Sequence, residues 1–140
     1  MIEMIYQSQR LDPPLILASS TYKGYNYFVL SMGTHPCGYV EIPKSSKYYN
    51  VDYDNIPVEC HGGLTYSENY LGAIANECEE RFFVGWDYAH YMDYVGYYDI
   101  GEFKPSFVEP LKKFKTKEMV DDCLKVIEQL ISLERDGCYE

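Results

Sequence analysis

The sequence lacks the features that mark several large classes of protein. It has 12 lysines and arginines against 22 aspartates and glutamates, which gives a net charge of −10. Contacts to DNA phosphates need clustered basic side chains, so this balance argues against duplex nucleic acid as a partner. Apolar runs long enough to span a membrane are also missing, and we expect no membrane partner.

Cysteine pairs of the Cys-x-x-Cys kind are absent too. The five cysteines are Cys37, Cys60, Cys78, Cys123 and Cys138. Their odd number and irregular spacing fit neither a disulfide framework nor a zinc site, so we expect free thiols and no metal cofactor. Glu3, Gln7 and Arg10 interrupt the apolar residues at the beginning of the sequence, and we therefore expect no secretory signal and a cytoplasmic location.

Motifs of nucleophilic and nucleotide-dependent enzymes are missing as well. The sequence has no Gly-x-Ser-x-Gly, Walker or Rossmann pattern. Cys60 adjoins His61, but neighbouring residues of a strand point to opposite faces, so the pair would not form a thiolate–imidazolium dyad. The sequence therefore favours a binding protein over an enzyme with a covalent intermediate.

Tyrosine, in contrast, is abundant, with 16 residues among the 140 of the chain. A tyrosine has an apolar body and a polar tip, so this number predicts a large half-buried surface in a pocket, a subunit interface or both. We accordingly expect a homo-oligomer. The length fits one domain that spans residues 1–140 and is large enough to bury its own core.

The pattern of apolar residues predicts an α+β fold, an antiparallel sheet of about five or six strands with a C-terminal helix packed on it. The sheet-rich part covers residues 1–106 and the helix residues 116–134. Short apolar runs at 2–6 and 15–19 flank Asp12-Pro13-Pro14, which interrupts regular structure. Aromatic and β-branched residues predict the strands at Tyr25–Ser31, 37–42 and 81–87, and residues 58–66 predict a strand that Gly62-Gly63 interrupts.

The predicted helix has the clearest pattern. Thr116 is a candidate N-cap, and Glu118 places a negative charge in the first turn, where it suits the helix dipole. One apolar stripe at helical spacing should face the sheet, and its members are Val120, Cys123, Leu124, Ile127, Leu130 and Ile131.

The first candidate site is the segment His61-Gly62-Gly63-Leu64-Thr65-Tyr66-Ser67. Gly62 and Gly63 allow the backbone to approach a ligand and present amides to an anion. His61 can donate, accept or ligate a metal, and Thr65 adds a hydroxyl. The segment is either one wall of a polar pocket or a β-bulge with a hydrogen-bonded histidine.

The second candidate site is the segment Gly85-Trp86-Asp87-Tyr88-Ala89-His90-Tyr91-Met92-Asp93. Asp87, His90 and Asp93 are spaced three apart and, with His61, have the chemistry of a metal site. The alternative is that Asp87 orients His90 and both fix a loop. Residues 88–106 are aromatic-rich and predict an ordered loop.

Aromatic residues crowd the strand that precedes this segment. Phe82, Val84 and Trp86 share one face of a strand, because alternate residues point the same way. Such a face either stacks a base or packs in the core. Because buried polar groups need partners, we expect the two candidate segments to lie on neighbouring strands, with His61, Thr65, Asp87 and His90 close together.

Three sequence blocks also carry a family resemblance: Cys37-Gly38-Tyr39-Val40-Glu41-Ile42-Pro43, the string VDYDNIPVECHGGLTYS from Val51, and FFVGWDYAHYMDY from Phe82. Together with the C-terminal helix they resemble a family of small bacteriophage and prophage proteins. Members share GYV-x-IP, an acidic-aromatic loop, HGGLTY and a G-[WF]-D-x-AH-x-x-D block. The chain departs from the pattern at Ser45 and Ser46, where members often have histidine.

The resemblance implies an accessory phage gene whose product acts in the host cytoplasm. The coarse architecture is similar to that of Thoeris anti-defence sponges, an analogy at the level of fold. The leading hypothesis is therefore a sponge that sequesters a nucleotide-derived immune signal without turnover.

In this hypothesis the base stacks near Phe82 or Trp86, with Tyr66, Asp87 and His90 beside it. Phosphates meet His61, the amides of Gly62 and Gly63, Arg81, or the lysines Lys112, Lys113, Lys115 and Lys117. The alternatives are a metal- or histidine-dependent nucleotide hydrolase that uses His61, Asp87, His90 and Asp93, and a tyrosine-rich inhibitor of a host protein.

Overall fold

The computed structural model describes residues 14–31, 35–72, 74–88 and 115–137. Within these ranges the chain forms five strands, two short 3₁₀ turns and one α-helix. The strands are β1 (Leu15–Tyr22), β2 (Tyr25–Ser31), β3 (Pro36–Glu41), β4 (Tyr66–Glu68) and β5 (Phe83–Asp87). The 3₁₀ turns are Tyr53–Asn55 and Glu77–Glu79, and the helix α1 is Thr116–Gly137.

The strands form one antiparallel sheet in the order β1-β2-β3-β5-β4. The helix packs on this sheet through contacts with β1, β2 and β3. The predicted α+β class, with about five strands and a C-terminal helix on the sheet, is therefore confirmed. The strand β5 lies between β3 and β4.

The hairpin of β1 and β2 is longer than the sequence pattern indicates. β2 has the predicted bounds, but β1 continues beyond the apolar run at 15–19 to Tyr22. Lys23 and Gly24 connect the strands with φ of 51° and 89°, the left-handed backbone that a tight hairpin turn requires. Near the other end the register shifts between Ile16 and Ala18, which marks a β-bulge.

The strand predicted over residues 58–66 is wrong. Gly62 and Gly63 adopt φ of 71° and 83°, and the amide of Gly63 donates to the carbonyl of Cys60 at 2.9 Å. The glycines therefore make a tight turn, because this left-handed backbone suits glycine and interrupts an extended chain. Only Tyr66–Glu68 at the end of the segment is a strand.

Each face of the sheet has its own core. The helix covers one face, where Val40, Val84 and Trp86 meet Cys123 and Ile127. On the opposite face the segment that contains Leu71 and Ala75 covers a second cluster, formed with Phe28, Leu30, Cys37, Tyr39 and Phe83. The sheet is thus buried on both sides, which explains the nearly continuous apolar runs of β2, β3 and β5.

The helix confirms most of the predicted stripe and corrects its edges. Cys123, Ile127 and Leu130 are fully buried, whereas Val120, Leu124 and Ile131 are half-buried. Met119 and Val126 take two core positions that the predicted stripe leaves out. Thr116 is the first helical residue and not the N-cap. The carbonyl of Lys115 accepts the first helical bond from Met119, and the amide of Lys115 donates to Glu118 Oε1 at 2.9 Å.

Candidate functional site

The two candidate segments of the sequence lie side by side, as predicted. Tyr66 pairs with Gly85 in the register of β4 and β5. The amide of Thr65 donates to the carbonyl of Gly85 at 2.9 Å, which extends the pairing by one residue. The HGGLTYS segment therefore reaches the strand that carries Trp86 and Asp87, and β3 flanks that strand on its other side.

A cleft of about 240 Å³ opens where these strands meet, and we call it the β3–β5 cleft. It lies on the sheet face opposite the helix, since Cys37 and Tyr39 belong to the core cluster of that face. Its lining residues are His35, Cys37, Tyr39, Thr65, Tyr66, Trp86 and Asp87. Four of the seven, Thr65, Tyr66, Trp86 and Asp87, were candidates from the sequence.

Two tyrosine rings wall the cleft. Tyr39 and Tyr66 pack edge to face, with ring centroids 5.2 Å apart. Burial raises the pKa of Tyr39. The electrostatic interaction with Cys37 and the hydrogen bond between the two side chains raise it further. Burial, followed by the influence of Tyr70, raises the pKa of Tyr66, whose hydroxyl donates to the carbonyl of Tyr70. Both phenols therefore stay protonated near neutral pH.

Polar side chains from two strands meet in the same cleft. Cys37 and Asp87 are direct partners in the register of β3 and β5. His35 lies two residues before Cys37, and Thr65 enters from the segment before β4. A carboxylate accepts hydrogen bonds, an imidazole accepts or donates, and a hydroxyl does both. The cleft thus combines aromatic walls with groups that can form hydrogen bonds.

His61 lies outside the β3–β5 cleft. Its ring stacks on Tyr88 with centroids 4.9 Å apart and an interplanar angle of 16°. Tyr88 is buried in the core on the helix side of the sheet, whereas Asp87 projects to the opposite side. Asp87 lines the cleft and His61 does not. The predicted proximity of His61, Thr65, Asp87 and His90 stays a prediction, since His90 lies outside the described residues.

Tyr88 is the centre of a buried hydrogen-bond network. Its hydroxyl donates to Asp122 Oδ2 at 2.6 Å and accepts from Trp86 Nε1 at 3.0 Å. Burial raises the pKa of Tyr88, and the hydrogen bond to the Asp122 carboxylate adds to the shift. His61 thus packs on the tyrosine that joins β5 to the helix, and the β-bulge predicted at Gly62-Gly63 is a tight turn instead.

Phe82 and Trp86 belong to the core and do not form an open stacking face. Their side chains are only 4% and 1% exposed. Trp86 lies over Gly38, and Phe82 packs edge to face on Tyr49 with centroids 5.8 Å apart. Phe82 and Trp86 do lie on one face of the sheet, as the alternation of strand residues predicts, but the helix covers that face. In the described fold a base would have to stack on the tyrosines of the cleft instead.

The predicted phosphate contacts do not converge. Arg81 makes hydrogen bonds of 2.7 and 2.9 Å to the two oxygens of Glu41 and a longer ion pair with Glu79. Gly62 and Gly63 form the turn described above and do not line the cleft. Lys115 and Lys117 are exposed where the helix begins, and Lys112 and Lys113 lie outside the described residues. Among the described residues that line the cleft there is no lysine or arginine.

The predicted metal constellation falls partly outside the described residues, since His90 and Asp93 lie in 89–114. Most of the predicted loop at 88–106 lies there too. Among the residues that the structure covers, no group of three or more His, Cys, Asp and Glu side chains is placed to hold a metal ion. Within the same residues, no helix is long and apolar enough to cross a bilayer.

Three lining residues of the cleft, His35, Cys37 and Tyr39, were not among the sequence candidates. Their spacing of two along a strand places them on one face, and this signal was present in the sequence. What the sequence does not show is the register of β3 on β5, which sets Cys37 opposite Asp87. That pairing joins residues 50 positions apart, and no local pattern encodes it.

Comparisons with protein-family models, with curated proteins and with solved structures return no match. The geometry of the chain itself therefore carries the functional argument.

Proposed function

We propose that the chain is a non-enzymatic binding protein that holds a small nucleotide-derived molecule by its base in the β3–β5 cleft. One observation carries the proposal: aromatic walls and polar groups from β3, β5 and the segment before β4 converge on one open cleft. Concave sites with aromatic walls and a few placed polar groups are the usual form of small-molecule sites.

The size of the cleft favours the base end of such a ligand over the whole molecule. Its volume of about 240 Å³ is below the range of roughly 300–1,000 Å³ found for pockets that enclose a drug-sized ligand. A nucleobase can lie against Tyr39 and Tyr66, because aromatic rings pack on one another in offset or edge-to-face geometry.

The charge of the cleft favours a base edge that carries N–H donors. The Asp87 carboxylate accepts hydrogen bonds, and carboxylates read base edges through amino and imino groups. A phosphate would meet this carboxylate with no lysine or arginine to offset it among the described residues of the lining. Sugar and phosphate would therefore remain outside the cleft, exposed to solvent.

The sequence resemblance supplies the biological context of the proposal. In an accessory phage protein, retention of a nucleotide-derived immune signal without turnover would lower the free concentration of that signal in the host. A preformed cleft suits this role, because a rigid site loses little conformational entropy when the ligand binds.

The test is ligand retention. Purified protein is incubated with a panel of nucleosides and cyclic mono- and dinucleotides, separated from free ligand and heat-denatured, and the released molecules are analysed. We expect intact release of a base-containing compound. A chemically altered product would show an enzyme, and no uptake of any compound would contradict the proposal.

Matched variants assign the retained ligand to the cleft. Asp87→Asn keeps the shape of the side chain but replaces an acceptor oxygen with a donor, so retention should fall at least about tenfold. Asp54→Asn makes the same change at an exposed position outside the cleft and should retain ligand like the parent. Equal retention by both variants would remove Asp87 from the site.

A further inference from the structure

Among the described residues, nothing pairs with the outer edge of β1. β1 is the first strand of the sheet and pairs with β2, and no other described strand lies beside it. A strand edge presents a row of backbone N–H and C=O groups that are ready to pair with another extended chain. The edge is eight residues long, which is enough for a stable strand pairing.

The sequence of β1 lacks the side chains that usually prevent such strand pairing. Edge strands are usually protected by charged side chains, proline or short length. Leu15–Tyr22 contains no charged residue and no proline, although the whole chain has a net charge of −10. The strand at the opposite edge, β4, is only three residues long and carries the exposed Glu68. The two edges thus differ in their protection against strand pairing. β4 is short and carries a charge, whereas in β1 only the bulge at Leu17 interrupts the regular strand.

Exposed apolar side chains concentrate at this edge. Among the described residues, four large hydrophobic side chains are exposed, and three of them are consecutive in β1: Leu15 at 56%, Ile16 at 45% and Leu17 at 36%. Single exposed hydrophobic residues are ordinary, but a contiguous group beside an open strand edge is typical of an interaction surface.

We propose that the outer edge of β1 is a homodimer interface that pairs with β1 of a second copy of the chain. The occupant has to supply an extended backbone with an open edge and no charged side chain along the paired strand, since β1 carries no charge that could pair with one. The edge of β1 itself meets both requirements. Pairing around a two-fold axis also closes both edges at once, whereas a head-to-tail contact would leave one edge open.

The geometry of this dimer follows from the symmetry. The two β1 strands run antiparallel and join the two sheets into one, and an axis perpendicular to the sheet keeps each side chain on its own face. Equivalent residues near the middle of β1 then meet across the axis. Ser19 is exposed, lies at the middle of the strand and does not belong to either core cluster. The Ser19 residues of the two copies therefore lie close together on the same face.

The test uses this proximity. Sedimentation over a range of protein concentrations should show a monomer–dimer equilibrium for the parent chain. Ser19→Lys and Ser19→Asp each place two like charges opposite one another, so each variant alone should dimerise at least about tenfold more weakly. A mixture of the two variants should recover association as a heterodimer, because opposite charges then meet across the axis.

Ser45 offers the matched control. It is exposed in the turn after β3, so Ser45→Lys and Ser45→Asp add the same charges away from the edge. Both control variants should dimerise like the parent, and circular dichroism should confirm that every variant is folded. A parent chain that stays monomeric at all concentrations would overturn the proposal. So would a Ser19→Lys chain that dimerises as well as the parent.

Discussion

The indole ring of Trp86 lies over Gly38 on the neighbouring strand, so close that a Cβ on Gly38 would be 2.6 Å from ring atom Cζ2. On the other face of the sheet Gly85 and Tyr39 repeat the arrangement, since a Cβ on Gly85 would be 2.4 Å from the ring of Tyr39. Each glycine pairs with the aromatic residue in the register of β3 and β5. Two large rings thus pack flat on one strand pair, one ring on each face.

We predict that Gly38→Ala lowers the free energy of unfolding by about 2 kcal/mol, because the added methyl group displaces a buried indole. Gly85→Ala should cost more, since its Cβ would also lie 2.8 Å from the carbonyl oxygen of Gly38, and the backbone cannot yield as a side chain does. Urea unfolding of the two variants measures both values.

Gly72→Ala is the control for this pair of substitutions. Among the described residues, a Cβ at Gly72 would meet only Pro14, at an ordinary contact distance of 3.7 Å. The control should unfold within about 0.5 kcal/mol of the parent. If Gly38→Ala unfolds like Gly72→Ala, the close packing of Trp86 on β3 is not a constraint on the fold.

The elements with strong local patterns could be predicted from the sequence. β2 has the predicted bounds, and α1 begins at the predicted residue and ends three residues beyond the predicted end. Local patterns sufficed because a helical stripe or an aromatic run is repeated over several turns or residues. The polar end of β1 from Ser19 to Tyr22 has no such repeat, and its strand conformation depends on pairing with β2.

The candidate site could be predicted only in part, for two physical reasons. The proximity of the HGGLTYS and GWD segments followed from their shared need for polar partners, and β4 pairs with β5. The sequence did not show which face of the sheet each side chain occupies. A shift by one position along a strand moves a side chain from the helix side to the cleft side. His61 stacks on Tyr88 and does not line the cleft, and Trp86 is buried under the helix.

The ion pair between Glu41 and Arg81 should make the free energy of unfolding depend on pH in the acid range. Burial opposes ionisation of Glu41, but hydrogen bonds from Arg81 and Asn26 outweigh it and lower the pKa of Glu41 below its ordinary value of 4.5. A carboxyl group whose pKa is depressed in the folded state stabilises the fold above about pH 5. This contribution is lost as the pH falls through the folded value.

We therefore predict that Glu41→Gln flattens the fall in the free energy of unfolding between about pH 5 and pH 3, by roughly 1 kcal/mol. Arg81→Met should reduce the slope in the same direction, because Glu41 then loses the partner that favours its charge. Urea unfolding at several pH values measures the slope. An unchanged slope in Glu41→Gln would show that this pair does not contribute to acid sensitivity.

The cysteines should remain thiols and differ in reactivity. Cys37 and Cys123 are buried, Cys60 is half-buried and Cys78 is exposed. Burial, together with the charge of Asp122, raises the pKa of Cys60 and of Cys123 to about 12, so both stay protonated and unreactive at pH 8. In a Cys138→Ser background, Cys78 should give the fast phase with a thiol reagent, and Cys78→Ser should abolish it.

The denatured parent should then titrate as five thiols without reductant, which matches the number of cysteines in the sequence. A count of three or fewer in freshly purified protein would show a disulfide and contradict the prediction.

The hydroxyl of Tyr88 should be worth more to stability than that of an ordinary half-buried tyrosine. Tyr88→Phe leaves the buried N–H of Trp86 without its acceptor and removes the donor to Asp122. An unsatisfied buried donor costs about 1–3 kcal/mol, and we predict a loss of this size in the free energy of unfolding. Tyr27→Phe is the control, since its hydroxyl makes no hydrogen bond to the described residues, and it should unfold like the parent.

The variant His61→Ala distinguishes the contribution of His61 to stability from a contribution to ligand binding in the β3–β5 cleft. The substitution removes the ring that stacks on Tyr88, so it should lower the free energy of unfolding by about 1 kcal/mol. Ligand retention should stay unchanged, because His61 lies on the helix side of the sheet and does not line the cleft. Thermal unfolding and the retention assay are run on the same preparation. Lost retention in a variant of unchanged stability would move the binding site from the cleft to His61.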